Sequence, residues 1–419
     1  MPAEASPRIV LVLPTFPKLS ETFIVRHALG MLDRGWDVRV LCRRFDRAAA
    51  GAHPDLARRP DFARRVSLET ATRPRWRLAA SAPRLAATWA RRPGPALGAL
   101  RSRGGGANLV TDAALARLRP DLVHFEFGSL AVERVAAARR LGARTVVSFR
   151  GFDLNFVGLE RDDPATSTWH YRPVWRHADA LHLLGRDLWR RARARGCPAE
   201  RARALIPPAV DGERFRAAPR PEKAEAGPLR LVSVGRLEWK KGHDYSLRAL
   251  AELLRRGIDA RLEIVGDGAL RGALAFSRHQ LGLENRVELS GPLPPDEVRR
   301  RLERADLFLH LAVSEGFCNA VLEAQAMGLP VVTSDADGLS ENVAHGITGL
   351  VVPRRDPVAA ARALEELAGD PERRRRFARA GARRAREIFT PEAEIDRFDT
   401  LYRRVLEARG ERLEGDLLA

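Results

Sequence analysis

The 419-residue sequence predicts an α/β protein with two doubly wound parallel-sheet, Rossmann-like domains that face each other across a cleft. Two observations support this prediction. Short apolar runs typical of buried strands alternate with helical periodicity along most of the chain, and no repeat with a solenoid period is present. The strand-like runs also fall into two sets, separated by a stretch rich in proline and charge. We therefore expect two sheets.

The two sets of strands define the expected domains. The first set is expected near residues 8–13, 37–42, 121–124, 144–148, 179–184 and 202–206, and the second near 229–235, 260–265, 286–290, 305–311, 330–334 and 348–352. The predicted organisation is an amino-terminal domain over 1–216, a linker over 217–228, a carboxyl-terminal domain over 229–388 and an amphipathic segment over 389–419.

Composition indicates a cytoplasmic protein. The three cysteines, Cys42, Cys197 and Cys318, are widely spaced and form neither a disulfide framework nor a metal-ligand pattern. The sequence has no charged leader before an apolar core, and no apolar run approaches the roughly 18 residues of a membrane span. We therefore expect neither secretion nor membrane spanning.

The strong basic charge has two interpretations. With 72 basic and 54 acidic residues the net charge is +18, and arginine greatly outnumbers lysine, as a GC-rich coding sequence would produce. Residues 54–103 also alternate arginine-rich and apolar helical stretches around Trp76 and Trp89, which is typical of a face that binds an anionic membrane surface. Both interpretations stay open. A nucleic-acid-binding protein is a rival of another class, but no recognisable module supports it and no nucleic-acid partner is expected.

Two carboxylates eight positions apart mark the first candidate site. Glu315 lies in a turn after the apolar run 305–311, and Glu323 lies in the helix expected over 319–327. Gly316 allows a tight turn, and the free N–H groups of the first helical turn favour a phosphate. Each carboxylate can accept hydrogen bonds from two vicinal hydroxyls, so the pair brackets a phosphate site. The turn residues Phe317, Cys318 and Asn319 are assigned to the same site.

Two further turns are expected at the same edge of the second sheet. The strand 229–235 ends at Gly235 and leads to Arg236 and Lys241, in a sequence with only four lysines, two of which lie in this turn. A compact ammonium here suits a pyrophosphate, although basic residues that merely solvate a loop are the alternative. Gly266 and Gly268 again follow a strand and open a helix, which is a weak signal alone.

These segments together resemble the nucleotide-sugar domain of the family-4 retaining glycosyltransferases, which have the two-domain GT-B fold. The matching stretches are 234–244, 264–271, 287–291, 314–333 and 341–353. The resemblance implies that Glu315 contacts hydroxyls of the donor sugar, Glu323 the ribose, and Arg236 with Lys241 the departing diphosphate. It places the base near Val287 to Leu293, and it implies that the last helix crosses back to the first domain.

The amino-terminal half resembles the exopolysaccharide branch of this family, the colanic-acid type, through residues 16–23. Ser20 is the expected N-cap of the first helix, and Ser20 and Glu21 are assigned to the acceptor side. Residues 120–128 and 146–153 resemble segments that face the donor sugar and the acceptor. They contribute His124 and Asp153 as candidate catalytic residues, with Glu126, Arg150 and Gly151 on the acceptor side.

Two positions depart from the pattern of the family. Glu126 stands where a second histidine is usual, and Arg150 replaces the histidine before the glycine. Arg150 cannot accept a proton, but it can hold a phosphate or an anionic acceptor. For His124 a satisfied core histidine is the alternative interpretation.

The resemblance implies a retaining hexosyltransferase whose co-substrate is a nucleoside diphosphate sugar. The expected acceptor is a glycan, a polyprenyl-diphosphate-linked glycan or a small molecule, and peripheral binding at the inner face of the membrane stays open. We expect no cofactor and no metal, because no Asp-x-Asp sequence lies in a strand-turn context suited to holding a divalent ion and two cations can stabilise the leaving group. A nucleotide-sugar epimerase and a glycan phosphorylase of the same fold are the alternatives.

Overall fold

The fold is described from a computed structural model. It describes residues 6–18, 21–69, 86–91, 93–101, 106–155, 170–216, 227–408 and 411–418. Most of the predicted linker, together with Trp76 and Ser20, lies outside the described residues. Among the helices of the described residues, no apolar helix is long enough to span a bilayer.

The first sheet has seven parallel strands in the order β3-β2-β1-β4-β5-β6-β7. The interior strand β1 consists almost entirely of apolar residues, as expected for a parallel strand covered on both faces. The elements up to residue 206 are β1 (Arg8–Phe16), α1 (Thr22–Asp33), β2 (Asp37–Phe45), α2 (Arg47–Ala52), α3 (Pro54–Ala57), a 3₁₀ helix (Pro60–Arg65), β3 (Val66–Leu68), α4 (Pro93–Arg101), α5 (Gly106–Leu118), β4 (Leu122–Phe125), α6 (Gly128–Ala131), α7 (Val135–Arg140), β5 (Arg144–Phe149), α8 (Phe152–Asn155), α9 (Arg172–His177), β6 (Ala180–Leu183), α10 (Arg186–Ala194) and β7 (Arg203–Leu205). The six predicted strands are present, and β3 is an additional one.

The second sheet has six parallel strands in the order β10-β9-β8-β11-β12-β13. All six lie where the apolar runs predict them. The elements after residue 228 are β8 (Leu229–Val234), a 3₁₀ helix (Trp239–Lys241), α11 (His243–Arg255), β9 (Ala260–Val265), α12 (Arg271–Gln280), β10 (Val287–Gly291), α13 (Pro295–Arg304), β11 (Leu307–His310), α14 (Asn319–Ala326), β12 (Val331–Ser334), α15 (Leu339–Asn342), β13 (Gly349–Val352), α16 (Pro357–Gly369), α17 (Pro371–Ile388) and α18 (Pro391–Glu407).

The chain forms two compact units, each with its own core. Unit 1 comprises residues 1–184, 189–206 and 395–419, and unit 2 comprises residues 185–188 and 207–394. Within unit 1, Phe398 and Tyr402 of α18 are almost fully buried in the core around β1, and the Trp36 indole N–H donates to Asp399 at 2.7 Å. The end of the chain therefore supplies part of the hydrophobic core of the first sheet.

Candidate functional site

Two turns border the crevice of the second sheet. In the strand order β8 and β11 are neighbours. Strands β9 and β10 lie on one side of β8, and β11, β12 and β13 lie on the other side. The point where the order reverses therefore lies between β8 and β11, and this is where open α/β sheets bind ligands. Residues 235–241 follow β8 at its carboxyl end, and residues 314–318 follow β11.

An ion pair joins these two turns. The Lys241 ammonium donates to the Glu315 carboxylate, and the two side chains are 12% and 13% exposed. A backbone hydrogen bond supports the pair, since the Val313 N–H donates to the Lys240 carbonyl at 2.8 Å. Two residues that the sequence assigns to one site are thus in direct contact.

Lys241 and Glu315 stabilise each other's charges, and His310 further stabilises the carboxylate. Burial alone would raise the pKa of Glu315, but the Lys241 ammonium and the His310 imidazole lower it to about 2. Burial would lower the pKa of Lys241, yet Glu315 raises it above its usual value. Burial likewise opposes the charged form of His310, but Cys318 and Glu315 raise its pKa to about 9. The carboxylate and both cations are therefore ionised at neutral pH.

Arg236 adds a further cation beside this pair. Its side chain is 62% exposed and pairs with Glu238 at 2.8 Å, and its charge is close enough to act against the protonated form of Lys241. Gly242, which ends the turn, has a φ of 65°, and a Cβ there would lie 1.8 Å from the Leu311 carbonyl oxygen. This close approach holds the turn with both cations against the end of β11.

The turn after β11 is held by three polar residues that sequence reasoning missed. Asp337 accepts from the Ser314 hydroxyl at 2.6 Å and from the Glu315 N–H at 3.1 Å. Arg354 donates to the other oxygen of Asp337 at 3.0 Å. Asn342 accepts from the Cys318 N–H at 3.0 Å. The three follow β12 or β13, and only the three-dimensional fold brings them to this turn.

Gly266 is required by the close approach of two turns. Its φ is 142°, and a Cβ would lie 2.0 Å from the Gly235 carbonyl oxygen. Gly235 in turn donates its N–H to the Val265 carbonyl at 3.0 Å. The turn after β9 therefore packs backbone against backbone with the turn that carries Arg236.

We expect Gly266→Ala to destabilise the protein by roughly 1–3 kcal/mol, because alanine disfavours this backbone conformation and its methyl group overlaps the Gly235 carbonyl. Urea unfolding would measure the loss. Gly272→Ala is the control, since Gly272 lies in α12 with no atom within 4 Å of the added methyl group, and it should be neutral or slightly stabilising. Equal stability of the two variants would contradict the packing argument.

The remaining donor-side candidates separate into two groups. Gly268, like Gly266, packs its backbone against the turn after β8, and Leu293 follows β10 at the same carboxyl edge. Val287 does not lie there: it opens β10 at the amino edge and is 4% exposed, so the structure places only Leu293 with the site. The other members extend from Gly316 into α14, with Phe317 and Cys318 buried before the helix, Asn319 at its first position and Glu323 half-buried one turn later.

The Lys241–Glu315 pair should make the free energy of unfolding depend on pH. The folded protein keeps Glu315 ionised to about pH 2, whereas an unperturbed carboxyl has a pKa of 4.5, so the contribution is complete above about pH 4.5. It should be lost progressively as the pH falls from about 4.5 to about 2. Unfolding free energies of the wild type and of Lys241→Met/Glu315→Gln, which removes both charges, should be compared across this window. A difference that does not change with pH would contradict the assignment.

The candidate residues of unit 1 form a second, buried cluster. Arg150, at the end of β5, donates to the Glu126 carboxylate at 2.6 Å, and His27 of α1 lies 3.0 Å from the other oxygen of Glu126. Burial alone would raise the pKa of Glu126, but the surrounding histidines and Arg150 keep it well below its usual value. The Arg150 guanidinium also lies 4.4 Å from the centre of the Phe23 ring. Glu126 is fully buried, so it positions Arg150 and does not contact an acceptor itself.

His124 is buried in unit 1 and hydrogen-bonded there, as the alternative interpretation of this residue expects. It is 0% exposed, and its two ring nitrogens hydrogen-bond with the Tyr402 hydroxyl at 2.5 Å and the Ser148 hydroxyl at 2.6 Å. Burial lowers its pKa to about 3, so the imidazole is neutral at physiological pH. Both ring nitrogens therefore have partners within the core, and the catalytic role of His124 stays a prediction.

Asp153 also has a structural role. It is 1% exposed and accepts from the Ser129 N–H at 3.1 Å and the Arg150 N–H at 3.4 Å, across Gly151 with its φ of 105°. This arrangement shapes the turn that carries Arg150, and the catalytic role of Asp153 stays a prediction.

The start of α1 differs from the prediction. Helix α1 begins at Thr22 with Glu21 in the N-cap position and without a side-chain capping bond, so the predicted cap, Ser20, is one residue too early and itself lies outside the described residues. Glu21 instead accepts from the Lys18 ammonium at 2.8 Å.

Two groups of side chains within the described residues converge closely enough to hold a metal ion. They are His27 with His124 and Glu126, and His310 with Glu315 and Cys318. In each group the carboxylate is already paired with a cation of the protein, Arg150 in the first and Lys241 in the second. A divalent ion would have to displace or repel these cations.

Comparison with known proteins relates both units to sugar transfer. The profile of the family described as glycosyl transferases group 1 matches residues 215–384, and that of the glycosyl transferase 4-like domain matches residues 20–208. A putative colanic acid biosynthesis glycosyltransferase of Escherichia coli strain K12 is 31% identical over 85% of this chain and 89% of its own length. The amylovoran biosynthesis glycosyltransferase of Erwinia amylovora is 28% identical over 84% of this chain and 88% of its own length.

Solved structures with the same fold cover nearly the whole chain. Anabaena HepE in complex with UDP has a TM-score of 0.72 at 18% identity, over 95% of this chain and 100% of that protein. The sucrose-phosphate synthase of Thermosynechococcus elongatus has a TM-score of 0.71 at 18% identity, over 96% and 100%. With the two parallel sheets, these similarities confirm the predicted GT-B class of fold.

Proposed function

The chain belongs to the glycosyl transferases of group 1 and is a hexosyltransferase-type enzyme, and from this premise we propose its reaction. We propose that it transfers a sugar from a nucleoside diphosphate sugar to a glycan, a lipid-linked glycan or a small-molecule acceptor. The proposal includes retention of the anomeric configuration and independence of metal ions. The relatives in colanic acid and amylovoran biosynthesis favour a growing exopolysaccharide as the acceptor.

The observation that carries the proposal is the charge arrangement at the end of β8 and β11. One carboxylate, Glu315, is in contact with Lys241 and His310, and Arg236 lies exposed beside them. Glu238 pairs with Arg236 and Lys240, so the four cations of this region still outnumber its two carboxylates, Glu315 and Glu238, and a diphosphate that binds here finds uncompensated positive charge. The free N–H groups at the start of α14 point to the same region and favour phosphate oxygens.

The same residues suit the chemistry of transfer. The bond between the anomeric carbon and the phosphate oxygen breaks, a bond to the acceptor oxygen forms on the same face, and the acceptor proton leaves with the diphosphate. Negative charge grows on the departing phosphate, so Arg236 and Lys241 stabilise the transition state more than the ground state. Glu315 orients Lys241 and can accept hydrogen bonds from hydroxyls of the sugar.

The proposal of metal independence rests on the ion pairs that the two metal-capable carboxylates already form within the protein. The metal-capable carboxylates Glu315 and Glu126 each pair with a cation of the protein. Lys241 and Arg236 supply at the diphosphate the charge that a magnesium ion would otherwise provide. On this basis no divalent ion is needed for the leaving group.

A donor panel tests the proposal. Melting temperatures should be measured with UDP-, GDP- and ADP-sugars, since UDP is the nucleotide bound in the HepE structure. One donor should raise the melting temperature, and its incubation with acceptor, with and without EDTA, should give a product whose anomeric configuration by NMR equals that of the donor. Inversion, or loss of activity in EDTA, would contradict the corresponding part of the proposal. Epimerised nucleotide sugar, or transfer to inorganic phosphate, would indicate an epimerase or a phosphorylase instead.

A further inference from the structure

A basic pocket lies in unit 1, on the edge of the first sheet away from the candidate site residues. It has a volume of about 500 Å³, which is within the usual range for small-molecule sites. Trp175, Asp179 and Glu411 contribute to its lining. Six arginines line it as well: Arg139, Arg144, Arg172, Arg176, Arg201 and Arg412.

The pocket is separate from the site proposed for sugar transfer. Arg144 opens β5, Asp179 directly precedes β6, and Arg201 precedes β7, so the lining residues gather at the amino ends of three adjacent strands. Arg150 follows the same strand at its carboxyl end. Six residues of extended chain separate it from Arg144, a distance of about 20 Å. A ligand in this pocket would therefore not be the sugar donor.

Buried guanidinium groups in the pocket are incompletely satisfied. Arg201 is only 4% exposed, and its Nε makes no hydrogen bond within the described part of the chain. Arg144 donates through Nη1 to Asp179 at 2.7 Å, but its Nη2 is buried and also lacks a partner among the described residues. Buried donors are normally paired, so these two nitrogens show that the arginines around the pocket outnumber the acceptors that the described residues offer them.

The positive charge of the pocket is not balanced by its two acids. Asp179 already accepts from Arg144 and, at 2.8 Å, from the Thr145 N–H. Burial lowers the pKa of the neighbouring His177, and Arg139, Arg176 and Arg201 lower it further. The His177 imidazole thus experiences an excess of positive charge at this edge.

We propose that this pocket binds a ligand with two or more clustered phosphate groups, at a site distinct from the transfer site. Guanidinium groups match phosphate oxygens through paired hydrogen bonds, and they retain their charge when buried. Arg144 pairs with Asp179, and Arg412 lies 3.7 Å from Glu200, yet the other four guanidinium groups of the pocket still exceed what a single carboxylate ligand can neutralise. A phosphorylated soluble molecule and the phosphates of a lipid headgroup share this chemistry.

Isothermal titration with inorganic tripolyphosphate at physiological salt tests the site. The pocket variant is Arg139→Gln/Arg176→Gln, since both residues are exposed and their replacement should not prevent folding. The control is Arg58→Gln/Arg64→Gln, which removes the same charge from side chains that are 80% and 86% exposed elsewhere in unit 1. The pocket variant should lose at least about tenfold in affinity, and the control should stay within about twofold of the wild type.

The same titration on Lys241→Ala locates the anion. Binding that Lys241→Ala keeps and the pocket variant loses supports the pocket, whereas binding lost in Lys241→Ala and kept in the pocket variant would assign the anion to the donor site and overturn the proposal. Flotation with phosphatidylcholine vesicles, with and without 30 mol% (about one third) phosphatidylglycerol, separates the two sources. Pocket-dependent flotation identifies a headgroup, and pocket-dependent binding of tripolyphosphate alone identifies a soluble ligand. If neither probe distinguishes the pocket variant from the control, the proposal is wrong.

Discussion

Replacing Lys241 by alanine is expected to lower the turnover number of sugar transfer by about 10²-fold or more. The ammonium contacts Glu315 at the switch point of the second sheet, where the diphosphate is proposed to leave. The ammonium interacts more strongly with the leaving group as that group becomes more negative in the transition state. The substitution should therefore lower kcat more than it changes KM. Steady-state kinetics with the donor identified by the melting panel would measure it.

Two further variants separate catalysis from folding. Lys240→Ala removes the same charge from the same turn, but its side chain is directed to Glu238, so it should retain most of the activity. Arg236→Ala alters a side chain that is 62% exposed, so it should lower turnover like Lys241→Ala without loss of stability. Full activity in both Lys241→Ala and Arg236→Ala would remove these cations from the proposed mechanism.

Replacing Arg150 by methionine is expected to destabilise the protein by about 3–5 kcal/mol. The substitution leaves the carboxylate of Glu126, which is fully buried, without its main cationic partner. The double variant Glu126→Gln/Arg150→Met removes the orphaned charge and should recover most of the lost free energy of unfolding. Urea unfolding followed by circular dichroism would compare the three proteins.

Arg59→Met is the matched control for this effect. Arg59 pairs with Asp33 on the surface of the same unit, with side chains 45% and 55% exposed, so its loss should cost no more than about 1 kcal/mol. If Arg150→Met is no more destabilising than Arg59→Met, Glu126 does not depend on Arg150 for its charge.

The fold could be predicted because its strands are encoded locally. Buried parallel strands need continuous apolar runs, and each run in the second half is followed by a turn or helix signal. Strand β3 was missed because its three residues, Val66–Leu68, are too few to show a period. The first cap was placed at Ser20 because the residue type favours caps, while Glu21 occupies the position without a capping bond.

The candidate site could be predicted only in part. The turns with Arg236, Lys241 and Glu315 were assigned to one edge because the carboxyl ends of parallel strands share it. The contact of Lys241 with Glu315 depends on β8 lying beside β11, which local sequence does not specify. The hydrogen bond of His124 with Tyr402 could not be predicted for a similar reason, since the two residues are 278 positions apart.

The place of Tyr402 in the core of unit 1 has a consequence for biosynthesis. A ribosome releases β1 and β4 long before it releases α18, so His27 and His124 of the nascent first sheet each lack one hydrogen-bond partner, the Tyr402 hydroxyl, until the last helix emerges. Unit 1 can complete its core only after unit 2 has been translated. A fragment that ends at residue 206 should therefore aggregate, and fusing residues 395–419 to it through a flexible tether should rescue its solubility.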